Sequence, residues 1–383
     1  MPSREAEIES AREQKSGRLA PDDPSRVEKA LVEIKERKIL ERLTAGIAGF
    51  RLAFGGLITG SGFALGPEYL REELADGRMV VRGSARASLK KYYLLDLGLR
   101  LPRLAGDRII LDLYAARSDS PRMQYYGPGP DSEKGARSNY RLEKTLYEGT
   151  FAVKPARPLR FGATGGYLMT NVGPGMDRRF VSTELAFAPA TTRGIDRQAD
   201  FLLGGVFAQY DTRDFPGGAR RGGNYVARYL VYSDRKLDQH SFRALEVELQ
   251  RYLPFFNERR VIALRGKMTL TYTDDGRRVP FYLQPTAGGA DDLRGFRPFR
   301  FYDDNLLVMN AEYRWETFSG LDMAVFGDAG KVFPRRSQLN FHDLESSVGF
   351  GLRFNVRNSV FLRTDVGFSH EGFQVWVKFS NVF

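Results

Sequence analysis

Val348-Gly349-Phe350-Gly351-Leu352-Arg353-Phe354-Asn355-Val356-Arg357 alternates between apolar residues and small, polar or charged ones. The period is two, so in an extended strand Val348, Phe350, Leu352, Phe354 and Val356 share a face. The pattern returns in 360–369, where Val360, Leu362, Thr364, Val366 and Phe368 alternate with Phe361, Arg363, Asp365, Gly367 and Ser369. It returns again in 373–383, where Phe373, Val375, Val377, Phe379 and Phe383 alternate with Gln374, Trp376, Lys378, Ser380 and Val382. Three consecutive segments thus read as two-faced strands of a hairpin series.

Two architectures accommodate such strands. In a soluble sandwich the apolar face points inward and the charged face meets water. In a transmembrane barrel the apolar face meets lipid and the charged face lines a wet lumen. Strand length favours the second, since a tilted spanning strand needs about 9–11 residues. Tyr313, Trp315, Phe255 and Phe383 sit at strand ends, as interfacial aromatic girdles do.

Working outward, the same alternation predicts sixteen strands, near 50–57, 60–71, 78–88, 92–102, 107–117, 139–155, 159–173, 200–214, 222–234, 242–254, 260–273, 305–317, 320–332, 345–357, 360–370 and 373–383. An even number returns the chain to the side from which it started. Long connections are expected at 118–138, 174–199 and 274–304, after the fifth, seventh and eleventh strands. All three follow odd strands and therefore share one face of the barrel, an outer-membrane pattern. The expected fold is all-β: a sixteen-stranded antiparallel transmembrane β-barrel over 44–383 with a short N-terminal helix.

Composition narrows the classes. The 383 residues include no cysteine, which excludes disulfides, thiolate metal sites and a cysteine nucleophile. His240, His342 and His370 are far apart and lack metal-ligand spacing. No run reaches the about 20 apolar residues of a membrane helix; 44–66 comes nearest but carries Arg51 and seven glycines. The 40 glycines and 13% aromatics suit many strands and tight turns. Lys plus Arg total 58 against 47 acids, a net +11. The basic residues are scattered, which fits a solvated or lumen-lining role better than nucleic-acid binding.

Residues 1–43 read as a polar segment followed by an amphipathic helix, acting as plug or linker. Asp23 with Pro24, or Ser25 with Glu28, starts the helix, and Val27, Ala30, Leu31 and Ile34 share its face. Met1–Ser16 has no apolar signal-peptide core, so a mature or truncated form is assumed.

The most informative loop ends in Asp291-Asp292-Leu293-Arg294-Gly295-Phe296-Arg297-Pro298-Phe299-Arg300. It is too apolar and too Arg-rich to wave freely in water, and the lumen is the polar place it can enter. Strand phase puts Glu312 on the face of Leu306, Val308, Asn310 and Arg314, and Asp328 on the face of Asp322. Both acids then point inward, where Arg294 can bridge them with charge-assisted bonds. The alternative is a surface loop whose arginine meets only water.

Leu293-Arg294-Gly295-Phe296, then Asn310-Ala311-Glu312-Tyr313-Arg314, then Phe326-Gly327-Asp328-Ala329-Gly330, then a terminal strand ending in Phe, resembles the BamA/TamA-type outer-membrane assembly barrels, the bacterial surface antigen family. Tyr210-Asp211-Thr212-Arg213-Asp214 with Gly222 resembles a further strand-and-turn signature of that group. The resemblance implies an inward-folded loop with Arg294, Gly295 and Phe296 at its tip, held by Glu312 and Asp328. It implies a weak seam between first and last strands, here Phe54, Gly55 and Gly56 facing Phe379 and Phe383. Unfolded outer-membrane or secreted polypeptides would engage there, in the bacterial outer membrane, among its lipids and with periplasmic accessory proteins. The seam's logic is physical: an opened barrel exposes an edge that templates a client strand. Gly46, Gly49, Gly55 and Gly56 near the first strand would weaken its ladder, which fits a labile seam and equally fits ordinary barrel curvature.

Departures from the family pattern are Leu293 where Val is usual, Asn381 at an outward position, and only about 43 residues before the barrel. The last is too short for a periplasmic POTRA module, so the expectation is a barrel without them, either a barrel fragment or a short family member. Gly327-Asp328-Ala329-Gly330-Lys331 imitates a phosphate loop, but Val332 replaces Ser/Thr and a strand runs through it. Gly217–Gly223 reads as a hairpin turn, not an RNA contact, and no Gly-x-Ser-x-Gly elbow occurs. The expectation is a non-enzyme without cofactor, metal or nucleic acid: an insertion factor, or alternatively a polypeptide translocator or passive pore. A soluble basic β protein is the third, weaker reading.

Overall fold

The computed structural model describes residues 47–318, 320–356, 359–379 and 383. The helix expected within 24–43, the segment 1–43 as a whole, Gly46 and Asn381 lie outside them.

Sixteen strands form one antiparallel sheet that curls into a nearly closed barrel. They are β1 (Phe50–Gly55), β2 (Ala64–Leu74), β3 (Met79–Ser88), β4 (Tyr93–Leu104), β5 (Ile109–Tyr125), β6 (Ser138–Ala156), β7 (Leu159–Pro174), β8 (Asp200–Asp211), β9 (Gly222–Asp234), β10 (Phe242–Phe255) and β11 (Arg260–Tyr272). After the longest loop come β14 (Asn305–Phe318), β15 (Leu321–Phe333), β16 (Glu345–Val356), β17 (Ser359–Ser369) and β18 (Gly372–Lys378). The remaining two strands, β12 (Thr286–Ala287) and β13 (Phe301–Tyr302), make a separate two-stranded ribbon inside that loop. Each barrel strand pairs with its neighbour in chain order, β11 meeting β14 across the loop. Among the described residues no helix is long and apolar enough to cross a membrane.

Alternation decides which way each face looks. Val348 is 63% and Phe350 53% exposed on the outside, whereas Arg353 in the same strand is fully buried inside. Leu97, Val206, Val375 and Val377 likewise face out, and Asp96, Arg265, Glu312, Asp328, Arg363 and Asp365 face in. Charges inside and apolar side chains outside reverse the soluble arrangement. The outer face is suited to lipid and the lumen is the polar core.

Three boundaries differ most from expectation. β2 starts at Ala64, because the Ser61 hydroxyl accepts the Leu57 and Ile58 amides and extends the preceding turn. β5 continues to Tyr125, since Ser118–Ser120 and Met123–Tyr125 still pair with β6. Its end joins an aromatic cap of Tyr125, Tyr140, Phe281, Tyr282 and Tyr302 beneath the long loops. β18 ends at Lys378, not at the chain terminus.

Candidate functional site: the loop-lumen lock and the seam

Register builds the acceptor side of the lock. In β14, Asn310 lies opposite Asp328 of β15, and Asp328 lies opposite Ser347 of β16. Both neighbours donate to that carboxylate, Asn310 Nδ2 at 2.8 Å and Ser347 Oγ at 3.2 Å. Asp328 is therefore oriented from both flanks before the loop arrives. Glu312, two residues along β14, takes Arg314 Nε at 2.6 Å and Arg353 Nη2 at 2.9 Å.

The loop is carried inward by apolar burial. Ala287, Leu293, Phe296 and Phe301 pack with Leu306, Val308 and Val332 of the wall, and the β12–β13 ribbon stiffens the base. This places Arg294, wholly buried, against the acids. Its Nε donates to Asp328 Oδ2 at 2.9 Å and its Nη2 to Oδ1 at 2.6 Å, a bidentate fork. Nη1 donates to Glu312 Oε1, and the Arg294 amide donates to Asp328 at 3.0 Å. The guanidinium lies flat over Phe326, 3.4 Å from the ring centre. Burial by itself would depress the Arg294 pKa; Glu312 and Asp328 overturn that and hold the guanidinium charged.

The tip also touches the last strands. Trp376 Nε1 donates to the Arg294 carbonyl at 2.7 Å, and Ser369 Oγ to the Gly295 carbonyl at 2.9 Å. Backbone approaches so closely that only glycine fits on either side. A Cβ on Gly295 would stand 2.7 Å from the Phe368 carbonyl, and one on Gly367 would stand 2.5 Å from the Arg294 carbonyl. Phe296 meets Phe301 and His370 edge-on, each at 5.4 Å.

Sequence reasoning missed half of this cluster. Arg353 and Arg363 face each other across β16 and β17, and both pair with Asp365, at 2.6 and 3.1 Å. Arg363 continues to the Ala290 carbonyl at 2.9 Å and to Asp291 at 3.1 Å. All three lie on the polar phase of the alternation. That phase was the signal, but which partner each met depended on cross-strand register.

At the seam, among the described residues, no backbone pairing joins β1 to β18. These are also short strands, six and seven residues against 10 to 19 in the rest of the barrel. Phe54 and Phe379 meet across the gap at 5.3 Å, with Phe361 and Phe63 adding edge contacts to Phe379 at 5.8 and 5.7 Å. A Cβ on Gly55 would lie 3.7 Å from Phe379 Cβ. Gly56 sits beyond the end of β1, in the turn toward Ser61. Phe383 corrects the expectation of a full last strand. It is buried in the lumen with Tyr252, Val261 and Ala263, and Arg314 lies 5.4 Å from its ring centre.

The Tyr210–Asp214 motif serves a turn. Asp211 accepts Arg213 Nε and Nη2 at 3.0 and 2.8 Å, and Gly222, at φ +89°, lets the Thr212 carbonyl approach. Lys331 of the phosphate-loop imitation lies inside β15. Among the described residues no three His, Asp or Glu side chains converge on a metal-sized site.

A family model described as the Omp85 superfamily domain matches residues 82–369. Among solved structures, the chain resembles BamA from Haemophilus ducreyi lacking POTRA domains 1-3, with a TM-score of 0.64 and 14% identity over 87% of this chain and 70% of that one. It resembles CdiB from Escherichia coli (TM-score 0.59, 14% identity, 86% of this chain and 62% of that one). It also resembles CdiB from Acinetobacter baumannii (TM-score 0.53, 11% identity, 87% of this chain and 59% of that one). The chain thus spans less than two thirds of either CdiB chain, and at these identities the likeness is one of fold. No curated protein matches the sequence significantly.

Proposed function

The chain belongs to the Omp85 superfamily of outer-membrane barrels, and from that premise we propose that it assists the insertion and assembly of outer-membrane proteins through its β1–β18 seam. The observation that carries this is the contrast between the seam and every other strand junction. Fifteen junctions are held by backbone ladders. The sixteenth is held among the described residues by aromatic contacts, each worth about 0.5–1.5 kcal/mol beyond burial. Separating it breaks far fewer hydrogen bonds than separating any ladder, at about 0.5–1.5 kcal/mol each. Once separated, β1 and β18 present unpaired amides and carbonyls to which an unfolded client adds a strand. The clients are unfolded outer-membrane or secreted polypeptides, with outer-membrane lipids around the barrel and periplasmic accessory proteins as delivery partners.

The test is client folding. The chain is refolded into liposomes and insertion of an unfolded outer-membrane protein is timed against empty liposomes and an Arg294→Ala control. Acceleration that the control loses supports the reading. Correctly folded barrels that give no acceleration overturn it.

A second reading, polypeptide translocator or passive pore, has its own observation. A lumen cavity of about 540 Å³ is lined by Gln209, Asn224, Arg228, Glu246, Gln250 and Lys267. Those side chains are polar and of both signs, as a water-filled path requires. Stable single-channel conductance without client acceleration favours this reading.

A further inference from the structure

We propose that Asp291 is an ionic clasp that holds the two seam edges together from inside the lumen. The inference rests on the reading that the seam opens, and it names the contact that sets how easily it does so.

One carboxylate spans the gap. Asp291 Oδ2 accepts Thr59 Oγ1 at 3.1 Å, in the turn that joins β1 to β2. The same oxygen accepts Lys378 Nζ at 3.0 Å, from the last residue of β18. Oδ1 accepts Arg363 Nη2 at 3.1 Å, on β17 behind β18. The edges, which share no ladder among the described residues, therefore share an acceptor. The main chain fixes that acceptor in place: Arg265 Nη1 holds the Asp291 carbonyl at 2.7 Å and Arg363 holds the Ala290 carbonyl at 2.9 Å. The loop also stands directly behind the β1–β2 turn. A Cβ on Gly289 would lie 2.7 Å from Thr59 Cγ2, and one on Gly60 would lie 3.1 Å from Pro298 Cγ.

The clasp and the lock are different parts. Arg294 is fully buried and anchors the loop to β14 and β15. The Asp291 side chain remains 42% exposed, so water can reach its contacts, which the fully buried lock does not allow. Burial would raise its carboxyl pKa; Lys378 and Arg363 outweigh burial and hold it below the usual range, so the clasp is charged at neutral pH. Rupture of the Thr59 contact frees the β1–β2 turn while β18 stays tethered to the loop through Lys378 and Trp376. The loop thereby remains docked while the seam parts.

The experiment uses the full chain in liposomes, with nitroxides on Leu52→Cys and Val377→Cys, both outward-facing residues of the edges; the chain has no native cysteine. Asp291→Asn and Lys378→Gln are each expected to raise the separated-to-closed ratio about fivefold, the change equivalent to ~1 kcal/mol at 25 °C. The double variant is expected to do no more than either single, since one bond is removed twice. Thr59→Val tests the β1 side should Asp291→Asn fail to fold. Asp274→Asn, which removes ion pairs to Arg243 and Arg277 at the start of the same loop, is expected to leave the distances as they were. Unchanged distances in folded Asp291→Asn and Lys378→Gln overturn the clasp. A second arm tests the underlying reading: a short bismaleimide joins Phe54→Cys to Phe379→Cys, and client insertion is timed. Blocked insertion with unchanged Asp291→Asn distances removes the clasp and keeps the opening seam. Undiminished insertion in crosslinked barrels removes the opening seam, whatever the distances report.

Discussion

Arg294 shows how much one side chain can carry when burial and charge coincide. It is fully buried, forked to Asp328 and bonded to Glu312. Truncation takes from the buried Asp328 its guanidinium partner, while Glu312 keeps Arg314 and Arg353. Arg294→Ala is expected to destabilise the docked loop by about 3–5 kcal/mol, less where lumen water reaches the acids. Limited proteolysis of 274–304 reads this directly; cleavage as slow as in the parent would refute the lock. Arg294→Lys is expected to fall short as well, because an ammonium cannot form the fork. Asp303, in the same loop between β13 and the barrel wall, behaves differently. Burial pushes its carboxyl from an ordinary 3.8 up to about 6, despite the Asp304 amide donating to it at 2.8 Å. Its folded-state pKa is raised, so folding favours the protonated form. The burial penalty is absent below about 4 and grows in as pH rises through 6. The loop is expected to resist proteolysis better at pH 5 than at pH 7.5, and Asp303→Asn to flatten that contrast.

At the scale of the element, the strands succeed by keeping two solvents apart. β16 presents Val348 and Phe350 outward while Ser347 and Arg353 serve the lumen network. Phe350→Arg places a charge on the lipid face and is expected to cost about 2–4 kcal/mol if near the midplane. Heat-modified gel mobility after refolding into vesicles measures it, and normal assembly would argue against a lipid-facing strand. Alternation made these strands legible, since a one-residue slip would send every charge into lipid. The element ends were less legible. β5 outruns its expected end because aromatic residues under the loops keep it paired, and β18 stops early where, among the described residues, it is paired on one side only. Both ends are decided by neighbours distant in sequence.

The molecule as a whole is a ring of ladders with one weak junction and an internal brace. β14 and β15 share a register unbroken from Asn305 to Glu316 that flanks the lock, whereas β1 and β18 are short and paired on one side only among the described residues. Local stability should follow this gradient. Hydrogen exchange in liposomes is expected to be fastest in β1 and β18 of all barrel strands, and slowest in β14 and β15. Equal protection of β18 and β15 would mean that the seam is no weaker than a ladder, and the proposed insertion route would lose its basis.

Much of the protein follows from sequence alone. Period-two alternation sets the strands and their two faces; parity of the count places the three long loops together. The inward phase of Glu312 and Asp328 makes them available to an arginine, and motif order carries the family resemblance. These features are local, because pleat geometry converts sequence spacing directly into direction. Tertiary structure decides the rest. It selects Asp365 as the partner of Arg353 and Arg363, brings Asp291 to both seam edges, sets Gly295 against Gly367, and turns Phe383 into the lumen. Those outcomes depend on register between strands and on where a closing barrel leaves space, quantities that exist only once the sheet has curled around the loop.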